Sequence, residues 1–191
     1  MFHPYPDSHL QIRDLVAGDQ TALTELFGRL AGDSETARYF HPFPLTLKTA
    51  RQLCSRSDPA LRDVYLLALV HDQPLGFGML RGWDAGFAAP SFGACVAPQA
   101  RDAGLGKALL AHAIARARSM GAPMLLLSVY RENARAVHLY RQFGFEFEEK
   151  SRREWQGTLD LTQPVGNMPA ISMNWERLTS CCRASSGCSR V

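Results

Sequence analysis

The most constraining feature of this sequence is a strand pattern that turns into a helix pattern across a loop of mostly small residues. Residues 92–96 are apolar and favour a strand, and Pro98 ends that run. Apolar residues then return at three- and four-residue spacing, the pattern of a helix with one buried face. These residues are Leu110, Ala113, Ile114 and Ala117. The sequence therefore predicts a strand, a tight loop and a helix in direct succession.

The loop itself, residues 101–107, has the composition of an anion-binding loop, and we call it the cradle loop. Gly104 and Gly106 allow a phosphate to approach the backbone closely, because glycine has no Cβ. The first turn of the helix adds unpaired N–H groups and the positive end of the helix dipole. Arg101 and Lys107 supply positive charge. Two glycines before a helix also suit an ordinary strand-to-helix turn, so the loop alone leaves both interpretations open.

A second strand and helix follow the first pair. Residues 124–129 form an apolar run typical of a buried strand, and Asn133 then stands where a helix begins. Residues 143–145, Phe-Gly-Phe, end that second helix. The full order is strand, Arg-x-x-Gly-x-Gly, helix, strand, Asn, helix and Tyr-x-x-x-Gly-Phe. This order is far more specific than either motif alone.

The order resembles that of the GNAT superfamily of N-acetyltransferases. Their acetyl-CoA motif is Gln/Arg-x-x-Gly-x-Gly/Ala, followed by Asn-x-x-Ala-x-x-Leu-Tyr-x-x-x-Gly-Phe. The resemblance is close over residues 91–149 and is otherwise limited to the order of elements. The matching residues are Arg101, Gly104, Gly106, Asn133, Ala136, Leu139, Tyr140, Gly144 and Phe145.

The resemblance implies a fold and an activity. The fold is a single α/β (α+β) domain with a mixed central β-sheet flanked by helices. The activity is direct transfer of an acetyl group from acetyl-CoA, as co-substrate, to a primary amine of a small molecule or peptide. The implied cofactor-binding residues are Ala94, Cys95, Val96, Arg101, Asp102, Ala103, Gly104, Leu105, Gly106, Lys107 and Asn133.

Two of these assignments have structural alternatives. Relatives polarise the acetyl carbonyl with a backbone N–H of a splayed or bulged strand, which corresponds here to residues 94–96; an ordinary ladder hydrogen bond is the alternative. Asn133 either hydrogen-bonds the pantetheine arm of the cofactor or caps its own helix.

Tyr140 is the candidate catalytic residue. Acetyl transfer from a thioester needs a neutral amine, a polarised carbonyl and a proton for the departing thiolate. A phenol with a pKa of about 10 can protonate a forming thiolate, whose thiol has a pKa of about 8.5, with little penalty. The resemblance assigns this role to the tyrosine of Tyr-x-x-x-Gly-Phe. The alternative is apolar capping, because Gly144 would bring Phe145 back against Tyr140.

The group that accepts the amine proton is missing from the motifs. Many relatives carry a carboxylate on the strand before the cradle loop, but residues 91–96 contain none. His41, Asp84 and Glu25 are candidates by their position in the fold, with His41 and Asp84 as candidate substrate contacts, and water-mediated proton loss is the alternative. A structural role also suits His41, which lies between aromatic residues and prolines. Cys95 lacks an adjacent base and is not expected to carry the acetyl group.

Composition limits the remaining functions. The 191 residues fit one domain, and an excess of Lys and Arg over Asp and Glu of 21 to 18 is too small to indicate nucleic-acid binding. No apolar run is long enough to span a membrane, and residues 1–10 lack the pattern of a signal peptide. The odd count of five cysteines favours a reducing compartment, the cytoplasm. Scattered histidines, and Cys181, Cys182 and Cys188 without zinc-finger spacing, predict no metal.

The rest of the chain supplies the other predicted elements. We expect a strand within residues 9–16, a helix capped by Asp19, a helix from Thr46 through Leu53, and a hairpin over residues 64–81. One further strand is predicted over residues 145–155. The domain is expected to cover residues 1–179 and to be followed by a flexible tail, residues 180–191.

A last, half-buried strand is predicted where Ile171, Met173 and Trp175 alternate with polar residues. Such a strand also leaves a homodimer open, since it can pair with a second copy of the chain. The leading function is the N-acetyltransferase, and the alternative is a non-catalytic acyl-CoA sensor of the same fold. A nucleotide-phosphate module is disfavoured, because residues 104–108 lack the P-loop spacing and the hydroxyl residue after Lys107.

Overall fold

A computed structural model describes residues 10–56, 58, 60–163 and 169–185, the last five by their backbone alone. Its core is one mixed sheet of seven strands in the order β1-β2-β3-β4-β5-β7-β6. The strands are β1 Leu10–Asp14, β2 Val64–Val70, β3 Gln73–Arg81, β4 Ser91–Val96, β5 Met124–Tyr130, β6 Glu146–Glu149 and β7 Glu154–Asp160. Only β4 and β5 pair in parallel, and every other neighbouring pair is antiparallel. The predicted mixed sheet is confirmed.

Six helices accompany the sheet within the described residues. They are α1 Gln20–Ala31, α2 Ser34–Tyr39, α3 Leu47–Cys54, α4 Leu105–Ser119, α5 Ala134–Gln142 and α6 Trp175–Ser185. Helix α1 has one apolar face, on which Leu23, Leu26, Phe27 and Leu30 are all buried. Thr46 caps α3 as predicted, since its hydroxyl accepts a hydrogen bond from the Thr49 N–H.

The prediction that the Asp19 side chain caps α1 is wrong. Asp19 occupies the N-cap position, but its carboxylate makes no capping hydrogen bond to the helix. Instead it accepts hydrogen bonds from the Arg13 guanidinium at 2.6 and 2.7 Å and from the Val16 N–H at 2.8 Å. A charged partner on β1 has therefore replaced the local backbone partner, because hydrogen bonds between charged groups are the stronger ones.

Strand β3 shows how helices come to cover both faces of the sheet. Phe77 points to one face, where it meets Phe27 of α1 with ring centroids 5.4 Å apart. Gly76 and Gly78 point to the other face, where a Cβ on either would lie 2.9 and 3.3 Å from methyl groups of Leu109 in α4. Helix α4 thus packs closely on the sheet because these two positions have no side chain. We call the two sides the α1 face and the α4 face.

One helix between residues 33 and 175 was not predicted, and two predicted strands need correction. The six-residue helix α2 was not predicted. Residues 145–155 do not form one strand, because a turn at residues 150–153 separates β6 from β7. Residues 171–174 have no regular secondary structure, and Trp175 begins a helix. The strand edge predicted to be open to a second copy is therefore not formed there.

The C-terminal segment packs against the back of the cradle loop. The Asn174 N–H donates to the Ala103 carbonyl at 3.1 Å, and the Arg177 Nε donates to the Gln99 carbonyl at 3.3 Å. Leu178 is fully buried, and α6 contacts both β2 and the short 3₁₀ turn Pro98–Ala100. Helix α6 continues to Ser185, so the boundary predicted after Thr179 falls inside a helix. Residues 186–191 of the predicted tail lie outside the described residues.

None of the helices described by the structure is long and apolar enough to cross a membrane.

Replacing Leu178 by Ala tests the packing of the C-terminal segment. Because the side chain is fully buried, we expect the free energy of unfolding to fall by about 2–5 kcal/mol, measured by urea denaturation. Glu176→Ala, at an exposed position of the same helix, should change it by less than about 0.5 kcal/mol. Equal stability of the two variants would contradict this packing.

Candidate active site

A cavity of about 490 Å³ passes through the sheet between β4 and β5, a volume typical of small-molecule sites. These strands pair at one position only, Ser91 opposite Leu126, and the cavity opens beyond that pair. On the α4 face it is lined by Phe92, Ala94, Val96, Gly106, Asn133, Ala136, Leu139 and Tyr140. On the α1 face it is lined by Glu35, Thr36, Tyr39, Phe40, His41, Pro42, Ser128, Tyr130, Lys150 and Glu154. The cavity thus connects the α4 face of the sheet with its α1 face.

The register of β4 aims backbone N–H groups into this cavity. The Ala97 N–H donates to the Leu75 carbonyl at 2.8 Å, on the side of β3. N–H directions alternate along a strand, so the N–H groups of Ala94 and Val96 point away from β3. On that side β5 has already separated from β4. Both groups therefore face the cavity and are available to polarise a carbonyl oxygen.

The start of α4 closes one end of the cavity. Ala108 donates the first bond of the helix, to the Gly104 carbonyl at 3.0 Å, which leaves the N–H groups of residues 105–107 unpaired within the helix. Gly106 lines the cavity, and a Cβ there would lie 3.9 Å from both Leu139 and Val96. Any larger side chain at Gly106 would extend into the space between them.

Gly104 is required for a reason that the motif did not indicate. Its φ of +89° is unfavourable for other residues, and a Cβ would overlap the Ser172 carbonyl oxygen and lie 3.0 Å from the Met173 sulfur. Gly104 therefore allows the C-terminal segment to approach the loop, and it does not line the cavity. Among the other predicted cofactor residues, Ala103 and Leu105 are buried, and Lys107 does not line the cavity.

Arg101 lines the cavity, but it is not a free cation for phosphate. Its guanidinium is bound to Asp33, to the Thr36 hydroxyl at 3.0 Å and to Glu35 at 3.3 Å. The hydrogen bond from Arg101 lowers the pKa of Asp33 to about 2. The prediction that Arg101 simply adds charge to the loop needs correction, because its charge is already neutralised by α2 and its N-cap. The residue joins the cradle loop to α2.

Arg135 is the more accessible cation beside the cradle loop. Its side chain is 49% exposed, lines the cavity and lies 3.3 Å from Glu35 and 3.5 Å from Asp102. Asp102 itself has a φ of +59°. These exposed ion pairs contribute little stability, so an incoming anion can compete with the carboxylates for the guanidinium.

Tyr140 lies on the α4 face between Phe92 and Phe145, with ring centroids 6.3 and 5.6 Å away. Burial raises the pKa of Tyr140 to about 12, so the phenol keeps its proton throughout the neutral range. No group among the described residues lies within hydrogen-bond distance of its hydroxyl. The capping contact with Phe145 is also present, and the Phe145 N–H donates to the Tyr140 carbonyl at 3.2 Å. The ring is thus packed while the hydroxyl is available.

Asn133 caps its own helix and also lines the cavity. Its side-chain oxygen accepts a hydrogen bond from the Ala136 N–H at 3.2 Å and so caps α5. The residue also lines the cavity, where its amide NH₂ remains available to a ligand.

Aromatic rings form the wall of the cavity on the α1 face. The rings of Tyr39 and Tyr130 lie 5.8 Å apart, and His41 meets Tyr130 edge-on at 6.0 Å. The His41 Nε2 lies 2.8 Å from the Arg38 carbonyl, so this nitrogen carries the proton. His41, a predicted substrate contact, therefore lines the cavity and hydrogen-bonds a carbonyl in the last turn of α2.

The family comparisons agree with this geometry. The profile of the Acetyltransferase (GNAT) family matches residues 29–145, which is more than half of the chain. The chain belongs to the GNAT acetyltransferase family. The resemblance seen in its motifs, and the fold class it implied, are thereby confirmed.

Among curated proteins, this GNAT chain is similar to the streptothricin acetyltransferase of Streptomyces lavendulae. The two are 42% identical over 84 residues, covering 39% of this chain and 44% of that protein. The chain thus spans less than half of the length of this relative.

Solved structures share the GNAT fold at low sequence identity. The GNAT acetyltransferase of Streptococcus pneumoniae is 20% identical with a TM-score of 0.67, covering 79% of this chain and 98% of that chain. The PaiA N-acetyltransferase of Thermoplasma acidophilum, solved with coenzyme A, is 19% identical with a TM-score of 0.64 and the same coverage.

Two predicted residues lie outside the cavity of the GNAT domain. Asp84 accepts hydrogen bonds from the Arg62 N–H at 2.6 Å and from the Asp63 N–H at 3.2 Å, and it pairs with Arg56. Asp84 follows the end of β3, where Arg81 pairs with Ser91 at the start of β4. The cradle loop follows the opposite end of β4. Asp84 therefore does not line the cavity, and this geometry does not support the predicted substrate contact. Glu25, in α1, does not line the cavity either.

Cys95 lines the cavity but is not suited to nucleophilic catalysis. Burial raises the pKa of its thiol well above the ordinary value, so the reactive thiolate is suppressed. Among the described residues there is also no group of three His, Cys, Asp or Glu side chains that would hold a metal ion.

Sequence reasoning missed, among others, the polar residues that β5 and the turn before β7 bring to the site: Ser128, Tyr130, Lys150 and Glu154. Leu126, Ser128 and Tyr130 share the α1 face because side chains alternate along β5, and Glu154 joins them because it pairs with Tyr130. The alternation of side chains along residues 124–130 could have identified Ser128 and Tyr130 as neighbours on one face of the sheet. The prediction of a single strand over residues 145–155 hid Lys150 and Glu154, because the turn between β6 and β7 brings these two residues to the cavity.

The link between Arg101 and Asp33 predicts a dependence of stability on pH. Because the pKa of Asp33 is lowered to about 2 from an ordinary 3.8, its contribution is complete above pH 4 and is lost as the pH falls towards 2. Asp33→Asn keeps the capping group but removes the charge, and should be less stable by about 2 kcal/mol at pH 6. Urea denaturation should show this deficit shrinking between pH 4 and pH 2.

The matched control is Asp72→Asn in the turn between β2 and β3. Asp72 is exposed and forms no ion pair with the described residues, so this variant should change the free energy of unfolding at pH 6 by less than about 0.5 kcal/mol. A deficit of Asp33→Asn that stays constant down to pH 2 would contradict the assignment.

Proposed function

We propose that this GNAT domain transfers the acetyl group of acetyl-CoA directly to a primary amine of a small molecule or peptide. The observation that carries the proposal is the cavity between β4 and β5, which joins the two faces of the sheet. A donor on one face and an acceptor on the other would meet at the exposed N–H groups of β4. This arrangement requires no covalent acetyl-enzyme, consistent with the suppressed thiolate of Cys95.

The donor would occupy the α4 face. Its pyrophosphate suits the unpaired N–H groups and the positive dipole at the start of α4, with Arg135 as the adjacent cation. Its pantetheine arm would pass Gly106 and Asn133, which line the same side of the cavity. The Thermoplasma acidophilum relative binds coenzyme A, which supports this class of donor.

In the transfer step, the amine nitrogen attacks the thioester carbon and the C–S bond breaks. The N–H groups of Ala94 and Val96 are placed to stabilise the oxyanion that forms. Tyr140 is placed to give its proton to the sulfur, and it regains a proton from solvent afterwards.

Burial makes this proton transfer harder than the sequence alone indicated. The gap between a phenol pKa of about 12 and a thiol pKa near 8.5 corresponds to about 5 kcal/mol for complete transfer. The thiolate forms in the same poorly solvated cavity, however, and this raises the pKa of the thiol for the same reason. Transfer concerted with C–S cleavage then avoids a free thiolate.

The acceptor would enter on the α1 face. Tyr39 and Tyr130 offer ring faces, and Glu154 offers a negative charge, a combination that suits a protonated amine. The similarity to streptothricin acetyltransferase supports a small-molecule acceptor. The test is a panel of amines with acetyl-CoA, with free thiol release as the readout. Binding of acetyl-CoA without thiol release from any amine would favour the alternative, an acyl-CoA sensor.

Gly106→Val tests the donor position. The added side chain would extend between Leu139 and Val96, so we expect acetyl-CoA to bind at least about tenfold more weakly, measured by calorimetry. The control is Gly28→Val in α1, where a Cβ meets nothing within 4 Å. Unchanged affinity in a folded Gly106→Val protein would place the cofactor elsewhere.

Tyr140→Phe tests the proton donor. The ring and its packing remain, so acetyl-CoA affinity should be preserved, while kcat falls at least about a hundredfold because the lost interaction forms only as charge develops on sulfur. Tyr65→Phe removes another buried hydroxyl outside the cavity and should leave kcat unchanged. A kcat for Tyr140→Phe within about threefold of the parent would reduce Tyr140 to a packing role.

A further inference from the structure

The proposed reaction needs a group that takes a proton from the acceptor amine, and β4 carries no carboxylate. Three carboxylates line the cavity, namely those of Glu35, Asp102 and Glu154. Glu35 lies 3.3 Å from the guanidinium groups of both Arg101 and Arg135. Asp102 belongs to the cradle loop and pairs with Arg135 at 3.5 Å. Both of these carboxylates are therefore part of the ionic cluster at the donor end.

Glu154 occupies a different part of the cavity. It is the first residue of β7 and pairs directly with Tyr130, the last residue of β5. Directly opposed residues of an antiparallel pair project to the same side of a sheet, so Glu154, Tyr130 and Ser128 share the α1 face. This is the face on which the proposed acceptor enters, opposite the side that holds Tyr140.

The carboxylate of Glu154 has an ionic neighbour but is not occupied by hydrogen bonds. Its nearest cation, the Lys150 Nζ, lies 3.8 Å away, which is beyond hydrogen-bond distance. That ammonium group instead donates to the Ser128 hydroxyl at 2.7 Å. Among the described residues no donor is bound to the Glu154 carboxylate, whose side chain is 28% exposed. Lys150 thus lies beside the Glu154 carboxylate while leaving its oxygens open to a ligand.

We propose that Glu154 receives the ammonium group of the acceptor and accepts its proton. The inference rests on the proposed function and names the residue that this function lacks. Two protons leave the nitrogen as it becomes an amide. The first passes to Glu154 and then to solvent; the second leaves through water and balances the proton that Tyr140 gives to the sulfur. The products are the acetamide and the free thiol of CoA.

Other charged or titratable groups surround this position. Lys150 faces Glu154 from the turn between β6 and β7, and Tyr130, with the adjoining His41, faces it from β5. Glu148 lies on the same face in β6, opposite Gln156. His41 is the competing base, but its Nε2 is bound to the Arg38 carbonyl and only Nδ1 remains. His41→Gln therefore belongs in the same experiment.

The test compares Glu154→Gln with the parent enzyme across pH, using an amine acceptor that the parent enzyme acetylates. We expect kcat/KM to fall at least about a hundredfold at neutral pH, with unchanged acetyl-CoA affinity. Without a base, only the neutral fraction of the amine reacts, and this fraction rises tenfold per pH unit below the amine pKa. The deficit should therefore shrink by about tenfold per pH unit towards alkaline pH. A weakly basic amine, already neutral at pH 7, should show little deficit.

Glu148→Gln is the matched control, since it removes a carboxylate from the same face but does not line the cavity. It should stay within about threefold of the parent. Three results would overturn the inference: Glu154→Gln within that range, a loss confined to KM at every pH, or the same pH-dependent loss in His41→Gln with Glu154→Gln silent. Failure of the parent protein itself to release thiol with any amine would reject the proposed function instead.

Discussion

The separation of β4 from β5 is the feature on which the rest of the structure depends. A continuous ladder would satisfy the N–H groups of Ala94 and Val96 and leave no space between the strands. Because pairing ends after Ser91 and Leu126, those groups stay exposed and a cavity opens through the sheet. Leaving backbone groups unpaired is costly unless water or a ligand satisfies them, and such an arrangement is typical of a binding site.

Side chains, rather than strand pairing, connect the two sides of this opening. Helix α2 contributes most of them. Its N-cap residue Asp33 binds Arg101 of the cradle loop. Its Glu35 pairs with Arg135 of α5, and its Arg38 pairs with Glu132 in the loop after β5. The Arg38 pair is largely exposed and contributes little stability, whereas Arg101 is mostly buried. Since α2 also carries Tyr39, one short helix contacts both the cradle loop and the aromatic wall of the cavity.

The parts of the fold that followed local rules were predictable. The strand-loop-helix units after residue 91 have strong periodicity and recognisable caps, and they lie where the sequence placed them. Helix α2 was missed because six residues are too few to show a period. The ligands of Arg101 were out of reach for a different reason: Asp33 is 68 positions away in the chain, and no local pattern indicates such a pair. The same limit applies to the Ser172 carbonyl that excludes a side chain at Gly104.

The C-terminal error shows what alternation does and does not imply. Ile171 and Met173 are partly buried and Ser172 is exposed, as the pattern predicted, but no strand offers a ladder to this segment. It runs instead across the cradle loop, where Asn174 holds the Ala103 carbonyl. Residues 171–178 thus support the loop that precedes the N-terminus of α4, although the family profile ends at residue 145. The geometry of the donor end consequently depends on a segment beyond the shared motifs.

The absence of a carboxylate on β4 also has a structural consequence. Apart from Ser91 and Cys95, β4 presents only apolar side chains and its backbone to the cavity. Polar side chains then come from its neighbours: Tyr140 on the α4 face, and Tyr130 and Glu154 on the α1 face. The sheet itself therefore keeps the Tyr140 phenol apart from the Glu154 carboxylate. One group faces the side proposed for the donor, and the other faces the side proposed for the acceptor.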